Sequence, residues 1–357
     1  MLGAVSEQAV AAIHDAIGQQ GPISFAAFME MALYGPGGFY ERPPVGPDAD
    51  FVTSPHVHPV FGELLGRGLR NLWEALDRPQ PLRVTEIGAG DGTLARQLLD
   101  ALDDVPLAYT AVDVSPGARE SLATIDRLAG IGTTVVPPVD VVLAHELLDN
   151  LPFRVLRGSS EVRVGLEGDR LVEVLGELDD ELLPFVMRDG AGADDERIVP
   201  VGAFAFVDHV AEVLERGYAL LIDYGGVADA GGPLHGYRGQ RVVEDVLASP
   251  GSADVTAGVD FGLIAARAEA AGLTAFPTVT QHDALTALGF EDWFRDELAR
   301  QHAQLDARDG LGAVRTWAGK SRATLLADPG GLGRFRWVVL ATPGLPAPSW
   351  TQGPSAD

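Results

Sequence analysis

Cysteine is absent from the 357 residues, and lysine occurs once, at Lys320. The first absence excludes disulfides and thiolate metal sites. The second leaves arginine as almost the whole basic complement, which reads as a composition bias rather than a functional signal. No apolar run approaches the ~18 residues of a membrane helix. The N-terminus lacks the basic segment and apolar stretch of a secretory signal. These absences predict a cytoplasmic protein without membrane insertion. Positive charge is also scarce, with 26 Lys and Arg against 51 Asp and Glu, a net charge of −25. So acidic a surface repels phosphate backbones, which argues against a nucleic-acid partner. It would attract a cationic substrate, although solubility alone accounts for such a charge. Hydrophobic residues still make up 46% of the chain, enough for a substantial core.

The most informative segment is Val84-Thr85-Glu86-Ile87-Gly88-Ala89-Gly90-Asp91-Gly92-Thr93-Leu94. It reads as a buried strand ending in an acid, a glycine-rich turn, and a helix continued by Leu98, Leu99 and Leu102. Glycines at Gly88, Gly90 and Gly92 let the backbone turn tightly and approach a ligand. The N–H groups at the helix start would face an anionic group. The spacing is G-x-G-x-G with Thr93 where a dinucleotide fingerprint has its third glycine, and no P-loop lysine is near. Glu86 two positions before the turn resembles the first motif of Rossmann-type S-adenosylmethionine-dependent methyltransferases. Leu107–Val112 then predicts a second strand ending at Asp113, with Ser115 as N-cap and Pro116 opening a helix. A carboxylate there has two oxygens suited to the hydroxyls of a ribose, or it only caps the helix.

Strands near 83–87, 107–113, 133–136, 140–144, 218–223 and 334–342 alternate with helices, among them 204–215 and 265–273. The rhythm predicts an α/β fold: a Rossmann-like, mostly parallel sheet with helices on both faces. Residues 1–80 read as an N-terminal helical segment packing on a core spanning 81–342. Insertions are expected near 153–200, with a β-hairpin at Val162–Leu166 and Leu171–Val174 and a surface loop from Gly190 to Glu196. A second, helical insertion is expected near 281–326. Residues 343–357 read as a flexible tail.

Several further segments are similar to those of the MidA-like methyltransferases. They are Ile23-Ser24-Phe25, Ala32-Leu33-Tyr34-Gly35-Pro36-Gly37-Gly38-Phe39-Tyr40, Asp50-Phe51-Val52-Thr53-Ser54-Pro55, Phe61-Gly62-Glu63 and His145-Glu146-Leu147-Leu148-Asp149-Asn150-Leu151-Pro152. Ile222-Asp223-Tyr224-Gly225, Tyr237-Arg238-Gly239-Gln240, Ala253-Asp254-Val255-Thr256, Val259-Asp260-Phe261 and Gly331-Leu332-Gly333-Arg334-Phe335 follow in order. The resemblance covers nearly the whole chain and implies a class I methyltransferase fold with S-adenosyl-L-methionine as cofactor. The family includes a mitochondrial complex I assembly factor that methylates an arginine of a core subunit. This implies a protein substrate carrying an arginine, in complex I assembly. The chain departs from the family at Asp113, usually glutamate, at His145, commonly asparagine, and at Gly258, frequently histidine.

Cofactor contacts are expected from Glu86, Gly88, Gly90, Gly92, Thr93 and Asp113. By resemblance a loop carrying Thr53, Ser54 and Pro55 folds over the cofactor's polar end; the alternative is that these residues only start a helix. Carboxylates suit an arginine acceptor because the guanidinium fork matches them bidentately. Glu146 and Asp149, three apart on an expected helical turn, would share a face and clamp it, or cap the helix. His145 is a further catalytic candidate, as general base or as a packing residue. Asp223-Tyr224-Gly225 either lines the acceptor pocket or only ends a strand. His56 and His58, with no third ligand in sight, make no metal site. A small-molecule methyltransferase, or a cofactor-binding assembly chaperone without turnover, are the alternative readings.

Overall fold

The structure, a computed structural model, describes residues 2–41, 53–186, 196–227, 234–239 and 241–352. Its centre is one sheet built from β1 (Leu82–Ile87), β2 (Leu107–Val112), β3 (Gly130–Gly132), β4 (Val139–His145), β5 (Leu214–Asp223), β6 (Thr274–Ala275), β7 (Val279–Thr280) and β8 (Arg336–Ala341). The order is β6-β8-β5-β4-β1-β2-β3, with β7 also pairing β8. Neighbours from β5 to β3 are parallel, and β8 enters antiparallel to β5. Every residue of β4 is buried, as a central strand covered on both faces requires. Its one carboxylate at the entry end, Asp140, is held bidentately by Arg83 at 2.8 and 3.0 Å.

Alternation along the strands splits the core in two. Tyr218, Leu220 and Ile222 of β5, with Trp337 and Val339 of β8, meet helices Val60–Ala75 and Thr93–Ala101. Ala219, Leu221, Val338 and Leu340 point the other way, onto helices Val201–Val213 and Phe261–Ala270. A period of two in the sequence thus becomes two helical layers on one sheet. At ~25 cal/mol per Å² of apolar area, side chains as large as Trp337 and Tyr218 dominate that burial.

A second, antiparallel sheet forms from Ser160–Glu167, Arg170–Gly176, Arg154–Arg157, Glu196–Val199 and Ile23–Ser24. It contains the expected hairpin. The expected loop from Gly190 lies outside the described residues except for Glu196, which is in a strand. Phe25, Phe28 and Leu33 pack on Val155 and Val164 of this inserted sheet and on Phe153 just before it. The helices before Glu41 therefore rest on the insertion, whereas Val60–Ala75 is a layer of the core.

Two expectations need correction. The third strand is 130–132 rather than 133–136, and Val136 is 73% exposed. The chain leaves the sheet after Gly132, and Pro137 and Pro138, which have no N–H to give a ladder, keep the segment before the next strand out of it. The segment after Pro343 does not fray within the described residues. Trp350 is buried edge-on against Trp337 at 5.7 Å, and Tyr218 donates to the Pro346 carbonyl at 2.9 Å. Polar and proline-rich composition hid a tryptophan that closes the core.

Candidate active site

The carboxyl ends of β1, β2 and β4 open into one cavity of about 930 Å³. Gly88 and Gly90 line it, and so do Asp113 and Ser115, Glu146, Asp149 and Asn150, Asp254 and Thr256, Thr53, and the aromatic rings of Tyr34, Tyr40 and Tyr224. Gly90 has φ +55, and a Cβ there would meet nothing within 4 Å. The Gly90 N–H donates to Asp113 Oδ2 at 2.9 Å, and Ser115 N–H to Oδ1 at 2.8 Å. Two backbone donors fix the carboxylate while each oxygen keeps a lone pair for a ligand hydroxyl. Burial raises the Asp113 carboxyl, and these two bonds oppose that rise.

Next to this end, Thr53 opens a short helix, Ser54–Val57. His56 bridges it to the glycine turn, with Nδ1 2.8 Å from Thr53 Oγ1 and Nε2 2.9 Å from Asp91 Oδ2. Asp91 also takes the Thr93 N–H and hydroxyl, at 2.9 and 3.0 Å. Burial would raise Asp91, but these bonds outweigh it and its pKa falls below the ordinary value. Glu146 has a left-handed backbone, φ +54, unusual for a residue with a side chain. It stays in place because its N–H still pairs with Ile222 O at 2.8 Å while Oε1 accepts from Ser54 N–H at 3.1 Å. The next three N–H groups, of Leu147, Leu148 and Asp149, all converge on Asp223 Oδ2 at 3.0, 2.6 and 3.3 Å. Asp223 is wholly buried and does not line the cavity; it shapes the turn that presents Glu146 and Asp149.

The acids on the wall share one electrostatic state. Burial pushes Glu146 up to about 8, with the Ser54 bond working against it and Asp149 adding to it. Burial pushes Asp149 to about 6, opposed by its bond from Thr256, and Asp254 to about 7, where the charge of Asp149 adds. Desolvation and mutual repulsion therefore prime these carboxyls to ionise when a cation arrives. Arg334 is the only Arg or Lys on this wall among the described residues. Its Nη2 donates to the Tyr224 hydroxyl at 2.8 Å and its guanidinium lies 4.7 Å over that ring.

A family model of S-adenosyl-L-methionine-dependent methyltransferases matches residues 64–279. The chain belongs to this family. It is a methyltransferase that uses S-adenosylmethionine, and its sheet is the methyltransferase sheet. A solved protein of Burkholderia thailandensis with S-adenosyl-homocysteine bound superposes with a TM-score of 0.82 at 27% identity, over 98% of this chain and 96% of that one. Among curated relatives, the protein arginine methyltransferase NDUFAF7 homolog of Drosophila melanogaster is 31% identical over 71% of this chain and 68% of its own length. The human protein arginine methyltransferase NDUFAF7 is 28% identical over 76% and 71%. Both are named mitochondrial. The cytoplasmic expectation is overturned by those names. Missing cysteines bear on disulfides, and they do not separate cytoplasm from mitochondrion.

The residues present fit the family's cofactor. The empty space over Gly90, the fixed and half-satisfied carboxylate of Asp113, and a volume near the top of the ~300–1,000 Å³ range of ligand pockets leave room for a nucleoside and an acceptor together. Other expected contacts are not on the wall. Glu86 is buried beneath it, accepting from Tyr109 Oη at 2.7 Å, and burial raises its carboxyl to about 8. Gly92 packs on Ile125 and Leu122, and Thr93 serves Asp91. Ser54 and Pro55 are buried: Ser54 holds Glu146 through its N–H, and Pro55 O accepts from Gln97 at 2.8 Å. Of that loop only Thr53 faces the cavity; Asp50–Val52 and Gln240 lie outside the described residues.

The acceptor residues also differ from expectation. Glu146 follows β4 in a bend and Asp149 sits in a 3-10 turn, Leu148–Asn150, so they share no helical face. His145 is buried against Phe61, ring centroids 5.1 Å apart, and is off the cavity wall. Burial, with the charge of His56, lowers it to about 3, so it stays neutral, with Nε2 3.3 Å from Glu146 Oε1. His56 and His58 are helical or cap a helix, and His58 packs on Trp293. Tyr34, Tyr40, Asn150, Asp254 and Thr256 reach the site without having been singled out for it. Their segments carried the family resemblance, which marked the stretches and not the roles.

Glu86 gives a first prediction. An acid whose folded pKa is raised to about 8 favours the folded state fully below its ordinary pKa, ~4.5, and loses that contribution as pH rises toward 8. Calorimetric melting of ligand-free protein should thus show stability falling from pH 5 to 8.5. Glu86→Gln should flatten the fall while S-adenosylmethionine affinity stays within about twofold of wild type. An unchanged slope would refute the buried proton.

Proposed function

We propose that this enzyme methylates an arginine side chain of a protein. The observation that carries the reading is the set of carboxyls on the cavity wall, Glu146, Asp149 and Asp254, beside the glycine turn and Asp113. A planar cation is compensated by one ionised carboxyl of this set, while the others, raised by burial, can stay protonated and still offer oxygens to its N–H groups. The names of the curated relatives support the same acceptor. A small apolar acceptor would leave those acids without a purpose.

When bound, S-adenosylmethionine supplies an electrophilic methyl group. Gly88, Gly90 and Asp113 would hold its nucleoside, with the Asp113 carboxylate on the ribose. Glu146 and Asp149 would orient the guanidinium and bind its charge; Glu146, titrating near 8, is suited to take the proton from the attacking nitrogen. Thr53 and its helix would cover the polar end and exclude water. We extend the reading to a subunit of respiratory complex I as acceptor, which follows from the family resemblance.

Labelled methyl transfer into a lysate of the source cells tests the reading, with mass spectrometry locating the label. Label on arginine supports it, and label on lysine, on a carboxylate or only on small molecules refutes it. Asp113→Asn should weaken S-adenosylmethionine binding by about 10- to 100-fold, the loss expected for a charge-assisted bond of ~1.5–3 kcal/mol. Unaltered affinity by calorimetry would remove Asp113 from the ribose.

A further inference from the structure

The 3-10 turn carrying Asp149 is tied to the strand Asp254–Thr256 by a reciprocal set of bonds. Asn150 Nδ2 donates to Asp254 Oδ2 at 2.7 Å, and Thr256 Oγ1 donates to Asp149 Oδ2 at 2.8 Å. Thr256 Oγ1 and Ala257 N–H also reach the Asp149 carbonyl, each at 3.3 Å. The two carboxyls are therefore fixed in relation to one another from different parts of the chain. Asp254 Oδ1 accepts from the Tyr40 hydroxyl at 3.0 Å, and Tyr34 Oη donates to the Asn150 carbonyl at 3.1 Å. The Tyr34 and Tyr40 rings stack 5.3 Å apart at 12°, making a rigid aromatic wall beside the acids.

Capacity for a ligand remains after this accounting. Asp149 Oδ1 is buried and accepts no hydrogen bond. Each Asp254 oxygen takes one side-chain donor, and the Val255 N–H also serves the carboxylate, which leaves lone-pair capacity among its roughly four acceptor positions. A buried acceptor without a partner is costly, so a site that retains one is open to completion by a ligand donor. Resting on the arginine reading above, we infer that Asp149 and Asp254 together form the seat of the acceptor guanidinium, with Tyr34 and Tyr40 as its side wall and Tyr40 positioning Asp254. Glu146, whose Oε1 is held by the Ser54 N–H beside His145 Nε2, then offers Oε2 to the attacking nitrogen. A guanidinium suits the seat because its donors diverge in one plane, toward carboxyls on two elements, while its face meets an aromatic ring. An ammonium has no such plane.

Binding of methylguanidinium to the full chain loaded with S-adenosylhomocysteine, followed by calorimetry, reads the seat without turnover. Asp254→Asn should weaken it about tenfold or more, the loss of one charged partner. Tyr40→Phe, which keeps the ring and removes only the hydroxyl, should weaken it about threefold or more, and it decides the matter if the Asn variant does not fold. Both variants should bind S-adenosylhomocysteine as wild type does. Wild-type methylguanidinium affinity in the folded variants would overturn the seat alone. Wild-type protein that binds no methylguanidinium but still labels arginine in a lysate would likewise overturn the seat alone. Label only on other groups would overturn the arginine reading, and the seat with it.

Discussion

Gly90→Val is expected to give a folded protein whose S-adenosylmethionine affinity falls about 100-fold or more, a cost of at least ~2.7 kcal/mol. Two effects combine. The backbone at φ +55 strains any side chain, by ~1–2 kcal/mol. The valine methyls then project into space that no protein atom occupies and that a nucleoside would need. Its N–H is also the bond that fixes Asp113, so a shift of the turn disturbs the ribose contact. Gly92→Val, two residues on, separates packing from ligand contact. There a Cβ would lie 2.6 Å from Ile125 and 2.9 Å from Leu122, at φ +78. That variant should lose melting temperature chiefly, and its folded fraction should still bind. Calorimetry beside a thermal melt of each variant checks the pair. Full affinity in folded Gly90→Val would show that the nucleoside lies elsewhere.

Glu146→Gln should lower kcat by about 10²- to 10⁴-fold, the range for removing a general base, with cofactor affinity unchanged. The amide oxygen can still accept the Ser54 N–H, so the loop over the site keeps its anchor and the lost quantity is the charge. In the wild-type enzyme kcat/KM should rise with pH across 6 to 8, as carboxyls raised to about 6, 7 and 8 ionise. The same ionisations lower the stability of the empty protein over that interval, since each acid is protonated more readily folded than unfolded. Activity and resistance to heat should therefore move in opposite directions with pH. A kcat in Glu146→Gln equal to wild type would exclude the residue from proton transfer.

The sheet was legible because its strands are apolar runs of the right length and its glycine turn is local. β4 and β5 announce themselves, as does the hairpin around Gly168. One strand ends at Gly132, short of its apparent place, and Trp350 gave a tail a core function. At the site, residues adjacent in sequence diverge in space. Gly90 faces the cavity and Gly92 faces Leu122; Glu146 faces it and His145 packs on Phe61. A motif marks the bend but not which of its side chains turn inward. Asp254 and Tyr40 come from distant segments, and no local spacing could bring them to Asp149.

The convergence of three amides on Asp223 has a bearing on how genetic data from this enzyme should be read. A random screen for inactive variants would recover substitutions at that position as readily as at any group that meets the acceptor, because the loop it anchors would relax and swing its acids away. Loss of function there reports a broken mould, and ranking residues by phenotype alone would mistake the mould for the tool.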